Sequence, residues 1–268
     1  MDDFKAALSK AVNKNVPLPI SVITSIADQY ILNVPILKPL LICVLGGSKE
    51  LGSNQVRCQH GDFIFLSNTP TIDMRNISQQ GSPYFALLIE FEYSDFDVFE
   101  TRPGKSIGFF TGKISDLLQI TIRQFVELAP NLPEELWALR RREILQLIWH
   151  MGYKEVCSIV EPPSLAHKVE GIISNDLQQD LSGEEVAGRL AMSDSSMRRK
   201  LSAEDTNFQT IKDRIKLGHG LYMLQTSDTP IGLVAQACGY QSQSRFTDKF
   251  KVMYGLTPSE LRKTRFKD

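Results

Sequence analysis

Val234-Ala235-Gln236-Ala237-Cys238-Gly239-Tyr240-Gln241-Ser242-Gln243-Ser244-Arg245-Phe246-Thr247-Asp248-Lys249-Phe250 is the stretch that decides how this chain reads. Ala235 is small enough to sit where two helices cross. Gly239, four residues later, suits the left-handed backbone that ends a helix. Phe246 and Phe250 are four apart and share one helix face. The stretch therefore predicts helix, tight turn, helix, with the second helix starting near Gln241. Gly255 and Thr257-Pro258 complete the pattern downstream.

A second copy lies upstream. Glu185-Val186-Ala187-Gly188-Arg189-Leu190-Ala191-Met192-Ser193 places Ala187 where Ala235 stands and Ala191 where Gly239 stands. Ser193-Asp194-Ser195 supplies cap chemistry for the next helix, Ser196 to Leu201, in which Met197 and Leu201 share a face and Arg198 and Arg199 point elsewhere. Between the copies, Asn207 to Gln225 is helical in pattern, with Phe208, Ile211, Ile215, Leu217, Leu221 and Leu224 as its apolar positions. Thr229-Pro230 opens the second copy, with proline at a permitted first-turn position.

From about Leu165 to Lys263 these residues resemble the DNA-binding domain of AraC/XylS-type transcription regulators, most specifically in Ala235-x3-Gly239-Tyr240-x-Ser242-x3-Phe246-x3-Phe250-x4-Gly255-x-Thr257-Pro258. The resemblance implies a partner, double-stranded promoter DNA, and two recognition helices entering successive major-groove turns roughly 34 Å apart. It implies RNA polymerase as a second partner. Candidate DNA contacts are Ser195, Arg198 and Arg199 from the first unit, and Gln243, Ser244 and Arg245 from the second, with Lys249 near phosphate. Arginine can bond a guanine edge twice, and glutamine can pair with adenine. The chain departs from the family at Ala191, where glycine is usual, and at Asp205-Thr206-Asn207-Phe208, where the family has Gly-x-Ser/Thr-Phe. Asp248 stands where a basic residue is common. Gly218-His219-Gly220 replaces an Arg and Ala pattern in the linker. Two helical glycines cost roughly 1 kcal/mol each relative to alanine, which predicts a flexible linker.

Composition sets the bounds. The 268 residues fit one large or two ordinary domains, and 42% apolar content supplies a core. Net charge is −1, so the whole chain does not advertise nucleic acid. From Val186 to Asp268, however, 14 Lys and Arg face 8 Asp and Glu, a surplus of six cations. The start Met1-Asp2-Asp3 has neither a basic stretch nor an apolar run, so no secretory signal is expected. No apolar run is long enough to span a membrane. Cys43, Cys58, Cys157 and Cys238 lack zinc-ligand spacing, and reduced thiols in the cytoplasm are expected.

The first half has a different texture. Leu40–Leu45, Asp62–Leu66 and Tyr84–Phe91 are short apolar runs between turn residues such as Gly46-Gly47-Ser48, and they predict strands of a small sandwich or barrel. His60-Gly61-Asp62-Phe63 resembles the turn before a strand in cupin barrels. The segment from Pro39 to Lys49 resembles the N-terminal module of a subset of AraC-type regulators, which implies signal sensing or dimerisation. Phe63, Phe65, Tyr84 and Phe85 are candidate lining for a small apolar effector. Four histidines in the chain, only His60 among the strands, cannot build a three-histidine metal site there. There is no Gly-x-Ser-x-Gly elbow and no phosphate-binding glycine loop, so no catalysis, metal or cofactor is expected. Two helical patterns follow, Ile114 to Leu128 and Pro133 to Met151. In the second, Leu136, Leu139, Leu147 and Ile148 are candidates for a homodimer contact, and Arg140-Arg141-Arg142 reads as a solvated face. Glu161-Pro162-Pro163-Ser164 is the expected boundary.

The expected architecture is α+β: a β-rich, cupin-like sensing or dimerisation domain with helices over residues 1–160, then an all-α domain with two helix-turn-helix units over 161–268. The expected function is a sequence-specific transcription regulator that touches or excludes polymerase. The alternative is a ligand-binding or protein-interaction module with a degenerate helix-turn-helix domain.

Overall fold

The computed structural model describes residues 18–52, 56–68, 71–79, 82–99, 107–160, 164–177 and 179–265. The chain divides into two compact units. The first comprises Met1–Tyr30, Lys38–Glu161 and Thr264–Asp268, and the second Ile31–Leu37 and Pro162–Lys263. Two short pieces thus fall on the other side of the expected division: Ile31–Leu37 goes with the helices, and the chain from Thr264 onward goes with the strands. Of the expected boundary segment, residues 161–163 lie outside the described residues. No described helix is long and apolar enough to cross a membrane.

Two antiparallel sheets make up most of the first unit, residues 31–34 of the strand Gln29–Val34 falling in the second. Strands β1 (Ile20–Ser25), β2 (Gln29–Val34), β3 (Leu40–Gly46), β4 (Ser48–Leu51), β5 (Val56–Gln59), β6 (Asp62–Leu66), β7 (Ile72–Ile77), β8 (Tyr84–Glu90) and β9 (Phe109–Lys113) form a five-stranded sheet in the order β1-β8-β3-β6-β9 and a four-stranded sheet in the order β2-β7-β4-β5. β3 turns into β4 at Gly46-Gly47. Gly47 has φ +66°, and a Cβ there would lie 2.3 Å from the Ile77 carbonyl oxygen, so only glycine fits this corner.

Residues along a strand alternate between faces. Leu41, Cys43, Phe63, Phe65, Leu87 and Ile89 share one core with helices α1 (Asp116–Leu128) and α2 (Glu134–His150). Ile42, Val44, Ile64 and Leu66, equally buried, lie on the opposite face of the sheet. Phe63 and Phe65 are therefore not cavity lining. Phe65 stacks on Phe110 at 5.6 Å and meets Phe91 at 5.1 Å, while Phe63 meets Tyr153 edge-on at 5.1 Å. The rings fill the space with one another.

Helix α2 corrects two readings. Its buried face is Trp137, Arg141, Ile144, Leu145 and Ile148. Ile148 is fully buried in the core and so is not free to form a dimer face, while Leu147 is partly buried against that core. Leu136 and Leu139 are exposed. Arg141, expected in solvent, pairs with Asp95, which is completely buried in the short turn of helix Tyr93–Val98. Arg140 pairs with Glu143 at 2.7 Å, and Arg142 donates to the Ser94 carbonyl at 3.2 Å.

The second unit is all helical apart from Ile31–Leu37: α3 (Leu165–Ser174), α4 (Gly183–Arg189), α5 (Asp194–Ala203), α6 (Phe208–Thr226), α7 (Ile231–Ala237), α8 (Gln243–Tyr254) and α9 (Pro258–Lys263). Ser164 caps α3, accepting from the His167 N–H at 3.3 Å. Two small cores share α6. Phe208, Ile211 and Ile215 join Val169, Ile173, Val186, Ala187, Met197 and Leu201. Leu217, Leu221 and Leu224 join Val234, Ala235, Phe246, Phe250, Tyr254 and Leu261. The 31–37 segment bridges both, with Ile31 in the second core and Leu37 against the first.

Shared cores overturn the expectation of a flexible linker. A Cβ on Gly220 would lie 2.8 Å from the Phe246 ring and 3.2 Å from Cys238 Sγ, and one on Gly218 would lie 2.8 Å from the Pro35 ring. These glycines let α6 approach its neighbours closely, so their propensity cost is set against packing.

Candidate nucleic-acid interface

The two helix-turn-helix units close in the same way. In the first, Ser182 Oγ accepts from the Glu185 N–H at 3.2 Å and Glu185 returns to the Ser182 N–H at 2.7 Å, which starts α4. The helix ends when the Met192 N–H reaches the Ala187 carbonyl at 3.0 Å. In the second, the Tyr240 N–H reaches the Ala235 carbonyl at 2.9 Å. Each bond spans five residues and requires a left-handed residue just before the donor. Gly239 takes φ +73° there, and Ala191 takes φ +54° in the equivalent place. Ala187 and Ala235 are buried beneath the crossing helices, as their size suggested.

The same logic explains the other departure. Asp205 has φ +53° between α5 and α6, so an L-residue again carries a conformation that glycine would adopt freely. Asn207 takes over the cap, its Oδ1 accepting from the Thr210 N–H at 2.9 Å.

Ser193 Oγ accepts from the Ser196 N–H and Ser242 Oγ from the Arg245 N–H, both at 3.3 Å. These caps start the two recognition-type helices. Helix α8 begins at Gln243, two residues later than expected. Burial of Met197 and Leu201 turns Ser195, Arg198, Arg199 and Lys200 outward on α5, and burial of Phe246, Phe250 and Tyr254 leaves Gln243, Ser244, Arg245, Asp248, Lys251 and Val252 exposed on α8.

The candidate contacts differ in what holds them. Arg198 Nε bonds Asp194 Oδ2 at 2.7 Å along the helix, while Ser195 Oγ sits 3.2 Å from Ser193 Oγ. Arg199 is exposed and forms no ion pair among the described residues. Lys249 does not extend freely: its Nζ is bound to Asp213 of α6 at 2.6 Å, fastening α8 to the central helix. Sequence reading missed this pairing, and also Asp180, onto which Lys212 and Lys216 converge at 2.8 and 2.9 Å. These two bonds hold the Asp180 carboxyl well below its ordinary range, at about 2. The surplus of cations in this region is thus partly consumed internally.

A family model described as a helix-turn-helix domain matches residues 186–264. The chain is 38% identical over 97 residues to transcriptional regulator SirC of Salmonella typhimurium (strain SL1344), and 37% identical over 95 residues to the porin thermoregulatory protein EnvY of Escherichia coli (strain K12). The helical region is a helix-turn-helix domain of the AraC type. These matches cover 36% and 35% of this chain, and the chain spans only 33% of SirC and 38% of EnvY. The wider fold is similar to that of ToxT from Vibrio cholerae, with a TM-score of 0.67 at 13% identity, covering 92% of this chain and 98% of that one. The likeness at that identity is one of fold: a β-rich region followed by a helical one.

No group of three or more His, Cys, Asp or Glu that could hold a metal ion occurs among the described residues. His60 Nδ1 lies 2.8 Å from the Leu45 carbonyl and serves the turn. All four cysteines are buried and free, and burial pushes Cys43 and Cys238 up to about 12 and Cys58 to about 11. A thiol so poorly ionised is a weak nucleophile.

Proposed function

We propose that this chain is a sequence-specific DNA-binding transcription regulator that acts in the cytoplasm on double-stranded promoter DNA. The observation that supports this most is the duplicated unit, with two capped, outward-facing helices braced on one central helix. Arg199 and Arg198 of α5, and Gln243, Ser244 and Arg245 of α8, are the residues assigned to the grooves, with Ser195 at the phosphate edge. Arg198 exchanges Asp194 for DNA on binding. Lys249 acts through Asp213, by holding α8 in place, and its phosphate contact is secondary. The two helices enter successive major-groove turns, and RNA polymerase is the second partner. The β-rich unit senses a ligand or pairs two copies through Leu136 and Leu139. A crystal structure of ToxT contains a bound unsaturated fatty acid, which makes an unsaturated fatty acid the first effector to test here.

The test is a binding titration on operator fragments selected from random DNA, repeated at several salt concentrations. Contacts to six or more phosphates weaken affinity roughly 1,000-fold or more between 50 and 200 mM salt. A salt-independent affinity, or no enrichment of any sequence, removes this reading in favour of a protein-interaction module.

A further inference from the structure

Among the described residues of the β-rich unit, Lys49 is a buried basic side chain with no carboxylate bonded to it. Lys49 is 3% exposed on the inner face of β4, opposite Cys58 of β5 and Asn76 of β7 in the strand register. Its Nζ donates to Asn76 Oδ1 at 2.7 Å and lies 5.5 Å from the centre of the Tyr84 ring on β8. An ammonium carries three N–H donors, and one is accepted here. The groups that face it supply no negative charge near neutral pH: burial holds the Cys58 thiol and the Tyr84 phenol protonated, and Asn76 is neutral. Behind Cys58, Asp62 of β6 is already matched by Lys113 of β9 at 2.5 Å. A neutral amine, donating once, fits this site; an ammonium lacks acceptors.

The amine is also the first member of a directed chain of hydrogen bonds. Asn76 Nδ2 donates to Gln29 Oε1 at 2.8 Å, and Gln29 Nε2 donates to Thr264 Oγ1 at 2.7 Å. The Thr264 carbonyl in turn accepts from the Ile26 N–H at 2.8 Å and from Ser25 Oγ at 2.9 Å. All these residues belong to the β-rich unit. Gln29 stands one residue before Tyr30, where the chain leaves that unit, and Thr264 is the first residue after it returns. Three side-chain bonds therefore run from one buried amine to both places where the chain passes to and from the helical unit.

We propose that Lys49 is a proton-operated switch whose charging strains this chain and loosens the Gln29–Tyr30 and Thr264 anchors. The proton comes from water and adds to the amine lone pair, so no other reactant is needed. The new ammonium needs further acceptors, and water entering past a terminal strand of its sheet, β2 or the adjacent β5, is the source left to it. Burial pulls the Lys49 amine from 10.5 down to about 7, which places the change in the range a cell traverses. The sign follows from linkage. Between about 7 and 10.5 the unfolded chain binds this proton more strongly than the folded one, so stability rises with pH there, and the folded protein changes charge near 7.

The experiment uses the full chain with lysine side chains labelled for NMR, the Lys49 signal being identified by its loss in Lys49→Met. A titration midpoint near pH 7, several units below the other lysines, is expected; a midpoint near 10 overturns the proposal. Amide exchange at Ile26, Tyr30 and Thr264 is then compared between wild type and Lys49→Met at matched pH. Exchange in the wild type should be several-fold faster at pH 6 and equal at pH 8.5, and equal exchange at both overturns the coupling. If Lys49→Met does not fold, Asn76→Asp supplies the missing anion and should raise the midpoint above 9. No rise rejects the acceptor argument. None of these readouts uses DNA, so they stand or fall apart from the proposed function.

Discussion

Gly220→Ala on α6, set beside Gly171→Ala on α3, separates packing from helix propensity. In an open site, alanine for glycine stabilises a helix by roughly 1 kcal/mol. Gly171, on α3, is such a site, with no atom within 4 Å of the position a Cβ would take. At Gly220 the new methyl would meet the Phe246 ring at 2.8 and 2.9 Å, well inside the roughly 3.5–4.0 Å of a relaxed carbon contact. Phe246 cannot retreat, because it is fully buried between Tyr240 at 5.4 Å and Phe250 at 5.5 Å. Overpacking a rigid site costs about 1–3 kcal/mol, so after the propensity gain the net effect is a loss of up to about 2 kcal/mol. The two alanine variants should therefore differ by about 1–3 kcal/mol, which is on the order of 5 °C or more in the melting of a unit of about 100 residues. Far-UV circular dichroism follows both units. Fluorescence follows only the first, because Trp137 and Trp149, the chain's two tryptophans, both lie there. Phe246→Leu added to Gly220→Ala should recover part of the loss. If Gly220→Ala raises the melting temperature as Gly171→Ala does, α6 is not closely packed on α8, and the flexible-linker expectation returns.

Ala191→Gly should stabilise the helical unit by about 1 kcal/mol, since it removes a left-handed L-residue. Urea unfolding followed by circular dichroism checks this, and an unchanged midpoint refutes it. Arg199→Ala should weaken operator binding by about 1–3 kcal/mol, and Arg198→Ala by less, because Arg198 first gives up Asp194; equal losses in the binding titration would contradict the ranking. Asp248→Ala should leave DNA affinity unchanged or raise it, and a large loss confined to one base position would show that Asp248 reads that base. Because the Asp180 carboxyl is held down at about 2, the stability it confers is complete above about pH 4 and is lost as pH falls toward 2. Asp180 is largely exposed, so the loss after solvent screening is roughly 1 kcal/mol, and it should vanish in Asp180→Asn.

The helical half was legible because its constraints are local. A five-residue closure, a cap and an alanine at a crossing each need particular residues at fixed offsets, and both copies supply them. Even the departures kept their positions: Ala191 and Asp205 hold positive φ where glycine is usual. The long-range pairs were not legible. Nothing in the run Gln243–Tyr254 reveals that Lys249 is taken by Asp213, thirty-six residues earlier. The glycines of α6 misled for the same reason. Their propensity cost is visible in the sequence, whereas Phe246 and Pro35, which require them, lie elsewhere in it.

Helix α2 shows how a buried charge defeats periodicity. Its core face, Trp137–Arg141–Ile144–Ile148, has regular helical spacing, but arginine at its centre reads as solvent. The apolar count then favours the neighbouring stripe through Leu136, Leu139 and Leu147. Only Asp95, buried on a different element, makes the true face possible, because an arginine in the core is tolerable when its charge is matched and its donors are met. Removing Asp95 alone would leave that charge uncompensated, whereas removing both partners leaves an ordinary apolar face. Lys49 is the opposite case: a basic residue equally deep in the same unit, with no carboxylate supplied. The fold neutralises Arg141 by pairing, and the means left to it at Lys49 is release of the proton. That contrast between two buried bases in one unit is why the Lys49 site, and not Arg141, is the one expected to respond to pH.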